Sequence, residues 1–323
     1  SDNMIIAEIE VEHNNQECQI INSINYFMQL NPGFILEDED FVEGNKLEKE
    51  LKNCDILINN KKIKFDFFYK FPKRGIYNIK YIFKNPLTST KFLFENCFSI
   101  ISLNFSKFNS SQVTCIDYMF ENCGKLNNIN LTNFDTSKVK SMKFLFNQCF
   151  SLKTLDLSNF NFNNVINIDG MFHSCGQLEN IDFDIINNTP KLKHMNNLFF
   201  GCKNLVKIDL SFFNTKKVED FGNMFFGCEK LQNLDLSNFN TKNVTNMGSM
   251  FQNCFELRNL NISNFETPKV NSMKYMFHNC YSLMKLDLKK FNTENVVNFC
   301  CMFFNCYSLA YLDISNLNIN KAL

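Results

Sequence analysis

Cysteine is the residue type whose spacing most invites a chemical reading of this chain. Fourteen are present, and Cys97, Cys123, Cys149, Cys175, Cys202, Cys228, Cys254, Cys280 and Cys306 follow at 26-residue steps, with one 27-residue step between Cys175 and Cys202. Thiols can bridge, ligate zinc or attack as nucleophiles, and each role needs partners close by. The adjacent Cys300-Cys301 with Cys306 has no matching ligand pair, so zinc is not expected. Nine thiols at one apolar register read instead as small buried hydrophobes kept reduced. His13, His173, His194 and His278 are scattered, and ten glycines form no phosphate-cradling loop. No catalytic constellation, metal site or cofactor site is therefore expected.

Carboxylates give the second pattern. Seven residues after the successive cysteines stand Asn104, Asn130, Asp156, Asp182, Asp209, Asp235, Asn261, Asp287 and Asp313. Small polar residues flank most of them, with Lys207, Lys285, Lys289 and Tyr311 as exceptions. Such a column can be plain solvated consensus, or an acidic groove for a basic or amide-rich protein partner. The Gly-bearing acidic loop of common calcium sites is missing, so no calcium site is expected. The partner-binding residues expected on this face are Asp156, Asp182, Asp209, Asp235, Asp287, Asp313, Lys207, Lys285 and Tyr311. Phe255, Tyr281 and Tyr307 follow the cysteine in three successive copies, and Phe200, Phe226 and Phe304 precede it by two. Exposed in register, Phe255, Tyr281, Tyr307 and Phe304 would make an apolar strip for a partner; buried, they would fill turns.

What must position these groups is the repeat itself. In the copy from Cys228, apolar residues fall at Leu231, Leu234, Leu236, Phe239, Val244, Met247, Met250 and Phe251. Leu234-Asp235-Leu236 alternates as a strand does, leaving Asp235 outward. Met247, Met250, Phe251 and Cys254 follow the i, i+3, i+4, i+7 stripe of a two-turn helix. The expected fold is an α/β repeat solenoid of about nine strand-turn-helix units whose stacked strands form a concave face. Thr241, Thr267 and Thr293, beside Asn240 and Asn292, are expected to cap those helices. The extra residue falls in DIINNTPKL and predicts a bulge or kink mid-stack.

Residues 1–86 are expected to form a small β-rich N-terminal domain that caps the stack of residues 87–323. MIIAEIEV and CQIINSI alternate as strands, and Leu36–Asn53 has the spacing of a short helix. Asn59-Asn60 divides DILI from KKIKFDFFYKF as a hairpin turn, and Pro72 to Gly75 leads into IYNIKYIF. Gly75 to Tyr81 resembles the last strands of immunoglobulin-like sandwiches.

The run LxxLDLSNFNTxxVxxMxxMFxxC, nearly intact from Leu231 to Cys254, resembles the BspA-like leucine-rich repeats, the 26-residue surface-protein repeats of bacteria and of anaerobic or ciliated protists. The resemblance covers Leu87 to Asn318. It implies a leucine-rich-repeat solenoid without catalytic residues, used for adhesion or protein binding.

With 33 basic and 33 acidic residues, net charge gives no footprint for nucleic acid or anionic membrane, and no run is long enough to span a bilayer. The acidic start lacks a signal peptide's pattern, which together with reduced thiols predicts a cytoplasmic, non-catalytic interaction scaffold. The alternative is a cell-surface adhesin of the BspA-like type. The sequons at Asn104, Asn130 and Asn261 would place glycans on the strand face, which favours a chain that meets no glycosylation machinery. The last strand, from Tyr311, has no following unit, so a protein partner or a second copy is expected to cover residues 311–323.

Overall fold

The computed structural model describes residues 3–33, 47–183 and 188–321. Alternation in the first segment makes β1 (Met4–Val11), whose Ile5, Ala7, Ile9 and Val11 are buried. It pairs antiparallel with β6 (Gly75–Ile82) on one side and with β7 (Ile100–Lys107) on the other. The hairpin of β3 (Asp55–Ile58) and β4 (Lys61–Ile63) turns at Asn59 and Asn60, both with positive φ, and β3 docks on β6. KKIKFDFFYKF does not continue as one strand: its second half, β5 (Phe68–Phe71), pairs with β2 (Gln16–Gln19) in a separate sheet. CQIINSI is likewise divided, because the Ser23 hydroxyl accepts the Tyr26 N–H at 3.2 Å and starts α1 (Ile24–Leu30). Residues 47–52 are helical and Asn53 is a turn, while residues 36–46 of the expected Leu36–Asn53 helix lie outside the described residues.

With β8 (Asn128–Asn130), the main sheet runs β4-β3-β6-β1-β7-β8, so it crosses from the N-terminal segment into the repeats without a break. The β7–β8 step is parallel, with Leu103 opposite Ile129. β9 (Thr154–Leu157) pairs parallel with β10 (Asn180–Phe183), and β11 (Asn233–Asp235) with β12 (Asn259–Asn261), each in matched register. The repeats thus stack as layers. Asp184 to Asn187 of the expected bulge lie outside the described residues.

The expected α/β class is wrong. Among the described residues, helix is confined to α1 and 47–52, and the stretch predicted as a helix in each unit is a pair of turns. Backbone hydrogen bonding gives the reason. In the layer ending at Cys228, the N–H groups of Phe221, Asn223, Phe225 and Gly227 donate to Asn246, Gly248, Met250 and Gln252 of the next layer. Those of Met224, Phe226 and Cys228 close turns onto Phe221, Asn223 and Phe225. A helix would need all of them for its own ladder. The alternation also requires two left-handed residues per layer, such as Ser249 (φ 56°) and Asn253 (φ 62°). Glycine holds the equivalent places at Gly170 (φ 58°), Gly201 (φ 70°) and Gly227 (φ 70°). Ser249 is half-buried, and Ser249→Val should be less stable than Ser249→Gly by about 1–2 kcal/mol, because Cβ branching is penalised there. Denaturant titration of the two variants checks this.

Three internal columns join the layers. Phe94, Phe120, Phe146, Phe172, Phe199, Phe225, Phe251, Phe277 and Phe303 stack ring on ring, with neighbouring centroids between 5.3 and 6.4 Å apart. Each repeat thiol after the first donates to the carbonyl of the previous layer's phenylalanine, as Cys254 Sγ does to Phe225 O at 3.1 Å. The threonines cap no helix; they are buried and clasp the next layer. Thr241 Oγ1 donates to Glu266 O at 2.6 Å and accepts Glu266 N–H at 2.8 Å, and Thr215, Thr267 and Thr293 repeat the arrangement.

Candidate recognition surface

On the strand side, most of the apolar residues before and after a column residue are buried in the middle layers. Leu234 and Leu236 are 3% and 0% exposed, whereas Asp156, Asp182, Asp209, Asp235, Asn261, Asp287 and Asp313 are exposed. Asn104 and Asn130 are half-buried. The column has a local structural task as well. Oδ1 of Asp156, Asp209, Asp235, Asp287 and Asp313 accepts the backbone N–H two residues on at 2.9–3.0 Å, which closes the turn that ends each strand. Asn104, Asn130 and Asn261 make the same bond. Asp182 accepts from Asn180 Nδ2 at 2.9 Å. At Asp156 and Asp313 the serine hydroxyl, and then its backbone N–H, hold the carboxyl below the usual carboxylate range; at Asp235 the backbone bond leads. These groups carry full negative charge at neutral pH.

The column residues do not share a single groove. One of about 750 Å³ gathers Asp235, Asn261, Lys285 and Asp287 over Leu234, Leu260 and Leu286. A second, of about 350 Å³, sits between Asn180–Phe183 and Lys207–Asp209 and holds Asp182, Lys207 and Asp209. Asp156 joins Asn130 in a third, of about 330 Å³. Asp313 and Tyr311 lie outside these three, with Tyr311 76% exposed and bridged to Lys285. Lys207 to Asp209 are not strand, so the column is interrupted next to the 27-residue step.

The aromatic residues form stacks. Phe255, Tyr281 and Tyr307 have centroids 5.0 and 5.5 Å apart and nearly parallel planes; Phe255 and Tyr281 are half-buried. His278 stacks on Phe304 at 5.1 Å, and His173, Phe200 and Phe226 stack at 4.4 and 4.5 Å. Within each stack the ring faces cover one another and edges point outward, which suits apolar contact and leaves no open slot for a flat ligand between rings.

One feature escaped the sequence reading. Glu95 and Glu121 occupy equivalent places in the first two layers, and burial pushes their carboxyls up to about 8 and about 7. Glu95 Oε2 accepts Asn22 Nδ2 at 2.5 Å, and Glu121 Oε1 accepts Asn147 Nδ2 at 2.6 Å. The signal was a charged residue two before the cysteine, where later copies carry Asn147, His173 and Phe200. Among the described residues no group of three or more metal-ligating side chains gathers.

A family model described as "Mycoplasma protein of unknown function, DUF285" matches residues 88–200, 184–280 and 235–323. The chain belongs to this family. No curated protein matches the sequence. Among solved structures, a leucine rich cell surface protein from Faecalibacterium prausnitzii is similar at 16% identity and a TM-score of 0.32, over 72% of this chain and 81% of that one. A TLR13–ssRNA13 complex is similar at 16% identity and a TM-score of 0.19, over 64% of this chain and 42% of that one. The expectation of a cytoplasmic chain is corrected here. The physical premise also fails. The repeat thiols are sealed, hydrogen-bonded and pushed up, to about 12 at Cys175 and Cys254, so their reduced state reports burial and not compartment.

Proposed function

We propose that this DUF285 chain is a non-catalytic recognition module of the BspA-like surface-protein type, displayed at the cell surface and binding a protein partner along its strand face. The observation that carries the reading is the column of exposed carboxylates fixed on a backbone that the phenylalanine, thiol and threonine columns hold rigid. Pre-positioned charge loses little entropy on binding. The groove at Asp235 and Asp287 fits a basic or amide-rich extended segment, with Lys207, Lys285 and Tyr311 setting its register. Asp156, Asp182, Asp209 and Asp313 extend the contact. The ring edges of Phe255, Tyr281, Tyr307 and Phe304 supply a second, apolar contact. Residues 1–86 act as the cap of the first layer.

The test pairs antibody labelling of intact source cells with binding of Lys/Arg-rich extended peptides to the purified chain. Asp235→Lys combined with Asp287→Lys should weaken binding at least about tenfold, about 1.4 kcal/mol, and added salt should weaken the unaltered chain's binding. Asp235→Asn should leave stability within about 0.5 kcal/mol, because Asn261 already makes the same turn bond. Labelling only after permeabilisation, or binding indifferent to the charge reversal, would overturn the reading.

A further inference from the structure

The repeat explains most of the cysteines but not Cys300 and Cys301. Both are exposed, whereas the other twelve of the fourteen free cysteines are buried or half-buried. Their places in the unit are held in preceding layers by Lys274-Tyr275, Gly248-Ser249 and Gly222-Asn223, so the layer does not demand sulfur there. Cys300 Sγ donates to Cys301 Sγ at 3.6 Å. The previous layer adds two groups. The Tyr275 side chain hydrogen bonds to Cys300, and the Lys274 cation, 4.8 Å above the Tyr275 ring, attracts negative charge at Cys301. Two accessible sulfurs, a hydroxyl and a cation therefore meet on one outer turn.

We propose that Cys300 and Cys301 form a thiol–disulfide exchange site for low-molecular-weight disulfides. In the first step a thiolate of the pair attacks one sulfur of the disulfide RSSR, forming a protein–SR bond and releasing RS⁻, which takes up the proton the thiol lost. The neighbouring thiol, deprotonated in turn, attacks the protein sulfur of that bond and expels the second RS⁻. The sum is two protein thiols plus RSSR giving one protein disulfide plus two RSH: the pair loses two electrons and the small disulfide gains them. At Cys301 the Cys300 hydrogen bond pushes the thiol up, and the Lys274 cation offsets part of that push. The Cα atoms of chain neighbours lie about 3.8 Å apart across a trans peptide, below the usual disulfide span of about 4.4–6.8 Å, so the closed ring is readily reopened by a thiol. Of the remaining thiols, only Cys115 and Cys306 are partly exposed, and Cys306 Sγ donates to Phe277 O.

Incubating the reduced chain with oxidised glutathione, followed by intact-mass measurement and peptide mapping, tests this. The chain should lose two hydrogens in mass, with the bond mapped to Cys300–Cys301 and reversed by dithiothreitol. C300S and C301S should each instead gain one glutathionyl group on the surviving thiol, and C306S should behave as the unaltered chain. No reaction, adducts spread over the repeat thiols, or disulfide closure persisting in C300S or C301S would overturn the proposal.

Discussion

Replacing Phe225 with alanine is expected to lower the unfolding free energy by about 3–5 kcal/mol, as for a fully buried aromatic ring leaving a cavity. Phe225 is 0% exposed and its ring lies 5.6 Å from Phe199 and 5.7 Å from Phe251, so its loss interrupts the column on both sides. Its backbone serves the layers too, since the N–H donates to Met250 O and the carbonyl accepts the Cys254 thiol. In a stack where each layer contacts only its neighbours, a void in the middle uncouples the two halves. Tyr307→Ala should cost no more than about 0.5 kcal/mol, because that ring is 76% exposed. Denaturant titration separates the two, and equal losses would show that the column does not hold the layers.

The second large effect is on the pH dependence of stability. Glu95 is 4% exposed, and burial first, then the Glu121 charge, push its carboxyl from an ordinary 4.5 up to about 8. The sign follows from proton binding. Below about pH 4.5 both folded and unfolded chains hold the proton; between that value and about 8 only the folded chain holds it. Stability therefore falls as pH rises across this window, and the loss is complete above about 8. Glu95→Gln keeps the shape and cannot ionise, so it should flatten the decline and be more stable than the unaltered chain near pH 9, by on the order of 2–4 kcal/mol. Near pH 4.5 the two should differ little. A Gln variant with an equally steep decline, or one less stable at high pH, would show that Glu95 is ionised in the folded chain.

Much of the core was legible in the sequence. The 26-residue cysteine spacing predicted stacked units, and Leu231, Leu234, Leu236, Phe239, Val244, Met247, Met250 and Phe251, chosen for apolar spacing alone, are all buried. The helix was misread because the i, i+3, i+4, i+7 stripe is degenerate: two consecutive turns with left-handed residues place Met247, Met250, Phe251 and Cys254 inward just as a helix would. The distinguishing signal was present in Asn96, Asn122, Gly201, Gly227, Asn253, Asn279 and Asn305, residues that tolerate positive φ, each directly before a cysteine. Helices seldom carry such a residue in every second turn. The outward Asp column followed from strand alternation, but its Asx-turn bonding did not, since that depends on where each strand stops. The burial of Glu95 depended on Asn22 meeting it across 73 residues of sequence, which periodicity cannot report.

Layered turns, and not helices, hold the carboxylate column in water. Far-UV circular dichroism of the folded chain tests this most directly. A weak helical signal is expected, with the turns of the repeats adding nothing to the helix that Ile24–Leu30 and residues 47–52 supply among the described residues. A deep double minimum of the α-helical kind, lost cooperatively on unfolding, would contradict it.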